Sequence, residues 1–550
     1  MTDRPAGRPP GEAAAPSAEP GGERIDAVVV GAGFAGLYAL HRLRTDGFSV
    51  RLFEASDAIG GVWNHNRYPG ARCDIESMDY SYGFSEEIQQ EWNWSERYAS
   101  QPEILRYLTF VADRLGLWDG ITFGTRVAGA DFDEDTARWT VRTEGGATVH
   151  ARYLIMATGV LSTARTPDFP GRERFGGEAY HTGRWPRSEI DFTGKRVGVI
   201  GTGSSGVQLI PIVARQAAEL TVFQRTPNFT MPAQNAPLAP DFVREWKATY
   251  AERRALARRS GFGHSQPTNP ARVMAVPDRE RTAEFERRWE SGGLYMLRAF
   301  SDILKDEEGN ELCAEFVRGK IAEIVRDPKT AEALTPRGFP FGTKRLCSGT
   351  GYYETYNRGN VRLVDVRRTP ITEITETGLR TGEQEHPLDV LIYATGFDAM
   401  TGSFLGVDIR GSGGRPLREK WASGPLTYLG LTTAGFPNLF LLTAPGSPSV
   451  LSNMVISAEQ HVNWVADCLD HLRRHGLRSI EARAQAELHW VAHVNEKADE
   501  TLYPRADSWY VGANVPGKPR VFMPYVGGVG VYAQKCDEVA ATGYEGFELR

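Results

Sequence analysis

The sequence predicts an α/β fold in which one strand–turn–helix–strand unit is used twice. Three observations carry this. Two GxGxxG motifs, at residues 31–36 and 201–206, each follow a β-branched run and open a helical pattern. Gly31 to Gly201 and Glu54 to Gln224 are both offset by 170 positions, so the units share their internal spacing. Two apolar segments, 154–159 and 391–396, both end in Ala-Thr-Gly, as strands returning to a nucleotide-binding sheet do.

Taken in order, the first 24 residues are rich in Ala, Pro and Gly and contain no aromatic residue, Leu, Ile or Val. Such a segment cannot bury a core, and a disordered tail is expected over 1–24. It has no apolar stretch of the signal-peptide kind. The apolar run from Ala27 to Leu40 is 14 residues, short of the roughly 20 that span a bilayer.

Residues 25–30 read as a buried parallel strand. Gly31 permits the tight turn, Gly33 lets backbone approach a pyrophosphate beside Phe34, and Gly36 lets helix and strand pack closely. Glu54, closing the next strand, stands where a carboxylate accepts from ribose hydroxyls, which suits FAD or NAD. In the second unit Gly201, Thr202, Gly203, Ser204, Ser205 and Gly206 repeat the turn, but the strand ends in Gln224-Arg225-Thr226. A guanidinium in place of an acid suits the 2′-phosphate of NADP.

Composition narrows the setting. Lys and Arg total 63 against 69 Asp and Glu, for a net charge of −6, and there is no dense basic run. That disfavours nucleic acid and anionic membrane as partners. The five cysteines form no CxxC, so no redox dithiol and no metal site is expected, and a reducing cytoplasm is the implied compartment. Glycine is in excess at 59 of 550 residues, against about 7% in average usage.

Between the two units lie Phe175, Gly177, His181, Trp185 and Pro186 in the pattern F-x-G-x-x-x-H-x-x-x-W-P. This stretch resembles the fingerprint of type I Baeyer–Villiger monooxygenases. Segments 67–74, 91–95, 342–345, 445–449 and 508–516 are similar to the phenylacetone and steroid monooxygenase branch, and the likeness runs from about residue 25 to the C-terminus.

The resemblance implies two Rossmann-like domains: a discontinuous FAD-binding domain at 25–160 and 393–550, with an NADP-binding domain at 161–392 inserted in it. The charged, helix-patterned stretch 228–341 is read as a helical insertion within the latter. It further implies NADPH- and O2-dependent conversion of ketones to esters or lactones through a flavin C4a-peroxide, with sulfoxidation as a side activity. Arg345 would be the catalytic cation for the oxyanion, held by Asp74, and Lys344 would join Arg225 at the 2′-phosphate. Gly61, Val62, Trp63, Arg72, Tyr80 and Met454 fall at flavin-binding positions, and Gln208 and Thr226 at NADP positions. Gln101, Pro102, Ser449, Val450, Leu451 and Trp509 match the substrate pocket. The fingerprint residues would act as hinge and support, with no proton chemistry for His181. Asn64-His65 departs from the branch, which carries aromatics there. The implied partners are a small-molecule ketone and O2, and the assembly a monomer or weak oligomer. The alternatives are a flavin-dependent N- or S-hydroxylating monooxygenase and, from another class, a non-enzymatic flavin and NADP redox sensor.

Overall fold

The computed structural model describes residues 23–550. Of the tail expected over 1–24, residues 1–22 lie outside the described residues. Glu23 and Arg24 are not tail: they open strand Glu23–Val30 and pair with Val149 and His150. Backbone pairing to a longer neighbouring strand carries the ladder past the point where side-chain composition turns polar.

Glu23–Val30 lies inside an eight-stranded sheet, parallel to Val50–Phe53 on one side and to Thr148–Met156 on the other. Ile121–Thr122 extends the first edge. The N-terminal half of Thr148–Met156 pairs antiparallel with Arg138–Thr143, and its C-terminal half pairs parallel with Leu439–Leu441. The sheet is therefore closed by chain from both ends of the sequence. Its central strands read as unbroken apolar runs because both faces are covered, on one side by helices Phe34–Thr45 and Met454–Arg474.

The second sheet is five-stranded and wholly parallel. Arg196–Ile200 is central, flanked by Glu219–Gln224 and Val390–Tyr393. Val361–Asp365 forms one edge and Glu178–His181 the other. The fingerprint thus supplies an edge strand rather than an unstructured linker. Tyr393, one residue beyond the expected boundary at 392, completes its strand by pairing with His181 and Ile200.

Residues 228–341 contain helices Pro240–Ala248, Tyr250–Arg259, Asp278–Ser291, Glu307–Ile324 and Pro328–Leu334. Two short parallel strands, Thr230–Pro232 and Cys347–Gly349, bracket them. No helix among the described residues is long and apolar enough to cross a membrane.

Candidate active site

The two glycine turns are built alike. Gly31 and Gly201 have φ of +105° and +109°, and a Cβ on them would lie 2.7 and 2.5 Å from the carbonyl oxygens of Ala157 and Ala394. Those alanines open the two Ala-Thr-Gly segments, so each returning strand passes directly behind a glycine turn. A Cβ on Gly36 or Gly206 would collide with the carbonyl oxygen of Gly31 or Gly201. The middle glycines differ. Gly203 has nothing within 4 Å of a Cβ, and Gly33 has only the Cα of Gly61 at 3.7 Å. The protein's own packing does not require glycine there. The open space above a helix N-terminus fits a pyrophosphate.

The strand ends diverge as the sequence indicates. Buried Glu54 accepts from the N–H groups of Ala32 (2.7 Å) and Ser56 (2.8 Å), with acceptor capacity left over. Its counterpart Gln224 turns inward and donates to the Ala333 carbonyl at 2.7 Å. Thr202 donates to the Thr226 carbonyl at 3.2 Å. Arg225 is exposed and Lys344 half-buried over the Phe339 ring. Burial lowers the Lys344 pKa, and the Arg225 charge lowers it further. Among the described residues neither has a carboxylate within 4.0 Å. Two neighbouring cations, opposed at Lys344 only by the Asp507 charge beyond ion-pair distance, fit a phosphate dianion.

Arg345 and Asp74 meet across 271 positions of sequence. Nε of Arg345 donates to Asp74 Oδ2 at 3.1 Å, Nη2 donates to both carboxylate oxygens at 2.7 Å, and Nη1 donates to the Val450 carbonyl at 2.8 Å. Burial opposes the guanidinium's charge, but the Asp74 carboxylate outweighs it and holds the Arg345 pKa above its ordinary value. The result is a fixed cation, oriented on three sides, at the wall of a cleft.

Residues 25–245 match the family described as pyridine nucleotide-disulphide oxidoreductase. A Baeyer–Villiger monooxygenase of Pseudooceanicola batsensis is 43% identical over 530 residues, covering 95% of this chain and 96% of that protein. A solved structure, an oxidized steroid monooxygenase bound to NADP, is 53% identical with a TM-score of 0.92 and covers 96% of this chain and 99% of its own. The chain belongs to the type I Baeyer–Villiger monooxygenases. It is a ketone-oxidising flavoprotein enzyme whose cofactors are FAD and NADPH. A phenazine N-monooxygenase of Lysobacter antibioticus is 42% identical over 529 residues, covering 96% of this chain and 97% of that protein. All five cysteines are free and buried. The matched family model therefore reflects the dinucleotide fold, not dithiol chemistry.

In this Baeyer–Villiger monooxygenase the fingerprint residues have packing roles. A Cβ on Gly177 would lie 2.5 Å from the Asp389 carbonyl oxygen and 2.7 Å from the Phe175 ring. His181 Nδ1 accepts from the Gly183 N–H at 2.9 Å, which leaves Nε2–H to donate to the Arg165 carbonyl at 3.1 Å. Burial lowers its pKa, so the ring is a neutral brace. Trp185 is buried beside Tyr180 and donates its backbone N–H to the His65 carbonyl at 3.2 Å, with Pro186 following half-buried. That bond ties the segment after edge strand Glu178–His181 to the short helix Val62–His65, which Gly61 caps. The Trp63 indole donates to Tyr80 at 3.0 Å, and Tyr80 packs edge-on against Phe34. Of the departing pair, Asn64 is buried and donates to Ser56 at 3.0 Å, while His65 is exposed.

Several expected ligand residues have other work. Gln208 accepts from the Tyr68 hydroxyl at 2.9 Å and donates to the Arg72 carbonyl at 3.1 Å. It clips the 67–74 loop to the helix Ser204–Gln216, where Gly70 passes close to the Gln208 carbonyl. Arg72 pairs with Glu96 at 2.8 Å. Ser204 lies 3.6 Å from the Cys347 thiol, and Met454 begins the helix capped by Asn453.

The cleft beside Arg345 is lined by Ile75, His264, Arg298, Leu451, Tyr503 and Tyr510 among others. Of the expected pocket residues only Leu451 lines it. Val450 contributes its carbonyl to Arg345, and the Ser449 hydroxyl turns to the Thr443 carbonyl at 2.8 Å. Gln101 donates to the Trp63 carbonyl, and Pro102 is exposed at a helix N-terminus. Trp509 packs on Tyr510, and Tyr510 lines the cleft. His264, Arg298 and Tyr503 carry no motif, while Tyr510 lies in the family-like segment 508–516. The one hint in the sequence is an arginine set in the apolar run 294–300.

Proposed function

We propose that this chain inserts oxygen beside the carbonyl of its ketone substrate, with Arg345 stabilising the developing oxyanion and Asp74 positioning Arg345. The observation that carries this assignment is the bidentate Arg345–Asp74 pair fixed at the wall of the cleft. FAD, reduced by NADPH, supplies the oxygen-activating chemistry when bound. The chain's own residues bind and orient. Gly33 leaves room for the flavin nucleotide's pyrophosphate and Glu54 faces its ribose. Gly203 does the same for NADPH, with Arg225 and Lys344 receiving the 2′-phosphate. Arg345 stays protonated throughout, so it provides charge without exchanging a proton. The apolar wall of Ile75 and Leu451 limits water at the reacting carbonyl.

On this reading the FAD domain comprises 25–160 and 393–550, and 161–392 form the NADP domain. The five unpaired cysteines support a cytoplasmic protein, working as a monomer or weak oligomer. N-oxidation is the second reading, favoured by the likeness to the phenazine enzyme. Product analysis by mass spectrometry with NADPH, over cyclic, aryl and linear ketones beside amines, phenazines and sulfides, separates the two. Esters or lactones from ketones are expected. N-oxides from the amines, with every ketone recovered unchanged, would refute the assignment.

A further inference from the structure

The cleft beside Arg345 holds a second guanidinium. Arg298 ends the short segment Tyr295–Arg298 and is 4% exposed. Its Nη1 is enclosed and has no hydrogen-bond partner, and among the described residues no carboxylate lies within 4.0 Å of its nitrogens. The Tyr295 ring covers one face, 5.1 Å from the guanidinium carbon. Other buried cations of this protein have partners for their terminal nitrogens. Arg254 leaves its Nε unpaired, but its Nη1 and Nη2 donate to the Met78 and Asp79 carbonyls and to Ser81. Lys420 meets Glu487 at 2.8 Å.

The charges around Arg298 are already engaged. Burial lowers its pKa, opposed at longer range by Tyr295, Glu76 and Asp79. Glu76 is taken by Arg97 at 2.7 Å and the Tyr295 hydroxyl at 2.9 Å. Asp79 accepts from Ser265. His264 brings no charge of its own. Burial, then the Arg298 and Arg345 cations, hold its pKa far below the ordinary histidine value. A buried cation without a counter-charge in contact is unfavourable. A ligand anion entering the cleft would remove that penalty.

We propose that Arg298 is a specificity-determining residue that binds a carboxylate on the substrate, so that the preferred substrates are oxo-carboxylates. This rests on the ketone-oxidising reading. The keto carbonyl would face Arg345, the carboxylate would take the planar fork of Arg298, and the connecting chain would lie along Ile75, Leu297 and Leu451.

The test uses the FAD-loaded enzyme with NADP+. Isomeric oxo-octanoic acids and their methyl esters are titrated calorimetrically into wild type, Arg298→Met and Arg298→Lys, and steady-state kinetics follow. At least one acid is expected to bind wild type tenfold or more tightly than its ester. The preference of acid over ester should vanish in Arg298→Met and return in part in Arg298→Lys, read as the ratio of the two affinities within each variant. Equal binding of every acid and ester by wild type would overturn the proposal, and that comparison needs no variant. So would Arg298→Met weakening NADPH or the esters as much as the acids, which would assign the guanidinium to the nucleotide or to packing. Binding of acids with no product from any ketone would count against the oxygenase reading and leave the anion site standing.

Discussion

Alanine at Gly203 and at Gly206 should have opposite consequences, though both glycines belong to one motif. Gly203 has φ −81° and ψ −171°, extended backbone that alanine adopts freely, and open space around a Cβ. Removing a glycine's unfolded-state freedom at such a site stabilises by about 0.4–1 kcal/mol, roughly offset because Gly203 caps helix Ser204–Gln216 and alanine is the poorer N-cap. The new methyl would occupy the space left for pyrophosphate. Overpacking of this kind costs about 1–3 kcal/mol, or roughly 5- to 150-fold in NADPH affinity. Gly206→Ala instead drives its Cβ into the Gly201 carbonyl oxygen, which is backbone and cannot turn aside. Helix Ser204–Gln216 must then lift from strand Arg196–Ile200, so the fold itself loses stability. The assay is a thermal midpoint for each variant together with KM for NADPH, with flavin absorbance confirming that FAD is retained. A Gly203→Ala enzyme that loses as much stability as Gly206→Ala, or that keeps the wild-type KM for NADPH, would refute the reasoning.

Three other outcomes follow from the same geometry. Arg345→Ala should reduce ester formation by about 100-fold or more, the scale of losing a fixed oxyanion donor, while flavin absorbance shows FAD still bound. Arg225→Ala should raise KM for NADPH by roughly 10- to 150-fold, the loss of a charge-assisted contact of about 1.5–3 kcal/mol, and leave KM for NADH nearly unchanged. Asp79→Asn probes a buried carboxyl that burial, against the Arg254 charge, pushes up to about 6 from 3.8. Because the folded value is raised, its stabilising contribution is complete below the unfolded value and is lost as pH rises through about 6. The melting difference between wild type and Asp79→Asn should therefore shift toward the variant by about 3 kcal/mol between pH 3.5 and 7. A pH-independent difference would contradict the shift.

The legible part of this protein is its backbone. Both glycine turns, both Ala-Thr-Gly strands and the acid-to-arginine exchange at 54 and 225 were readable because close backbone approach admits few residue types at fixed spacing. The structure adds the reason for the coupled motifs. The carbonyls of Ala157 and Ala394 pass behind Gly31 and Gly201, so each glycine answers the close approach of backbone 126 or 193 positions later. Arg345 and Asp74 were readable only through family likeness, since nothing local in Lys344-Arg345 distinguishes a buried pair from a surface one.

Most of the cleft wall, Leu451 and the segment of Tyr510 excepted, was illegible for a related reason. Ile75, His264, Arg298 and Tyr510 come from four separate segments, each held by its own local packing, and converge only when the helices of 228–341 settle against the first sheet. No spacing rule joins them, because a side chain reaching a cleft constrains neither its neighbours nor its partners in sequence. What marks such a residue is an unmet requirement in the folded state. Arg298 illustrates this: in sequence it is one arginine among many, and only burial without a counter-charge shows that something else must meet it there. Within one family, then, the glycine turns should predict the cofactors and the unpaired groups of the cleft should predict the substrate.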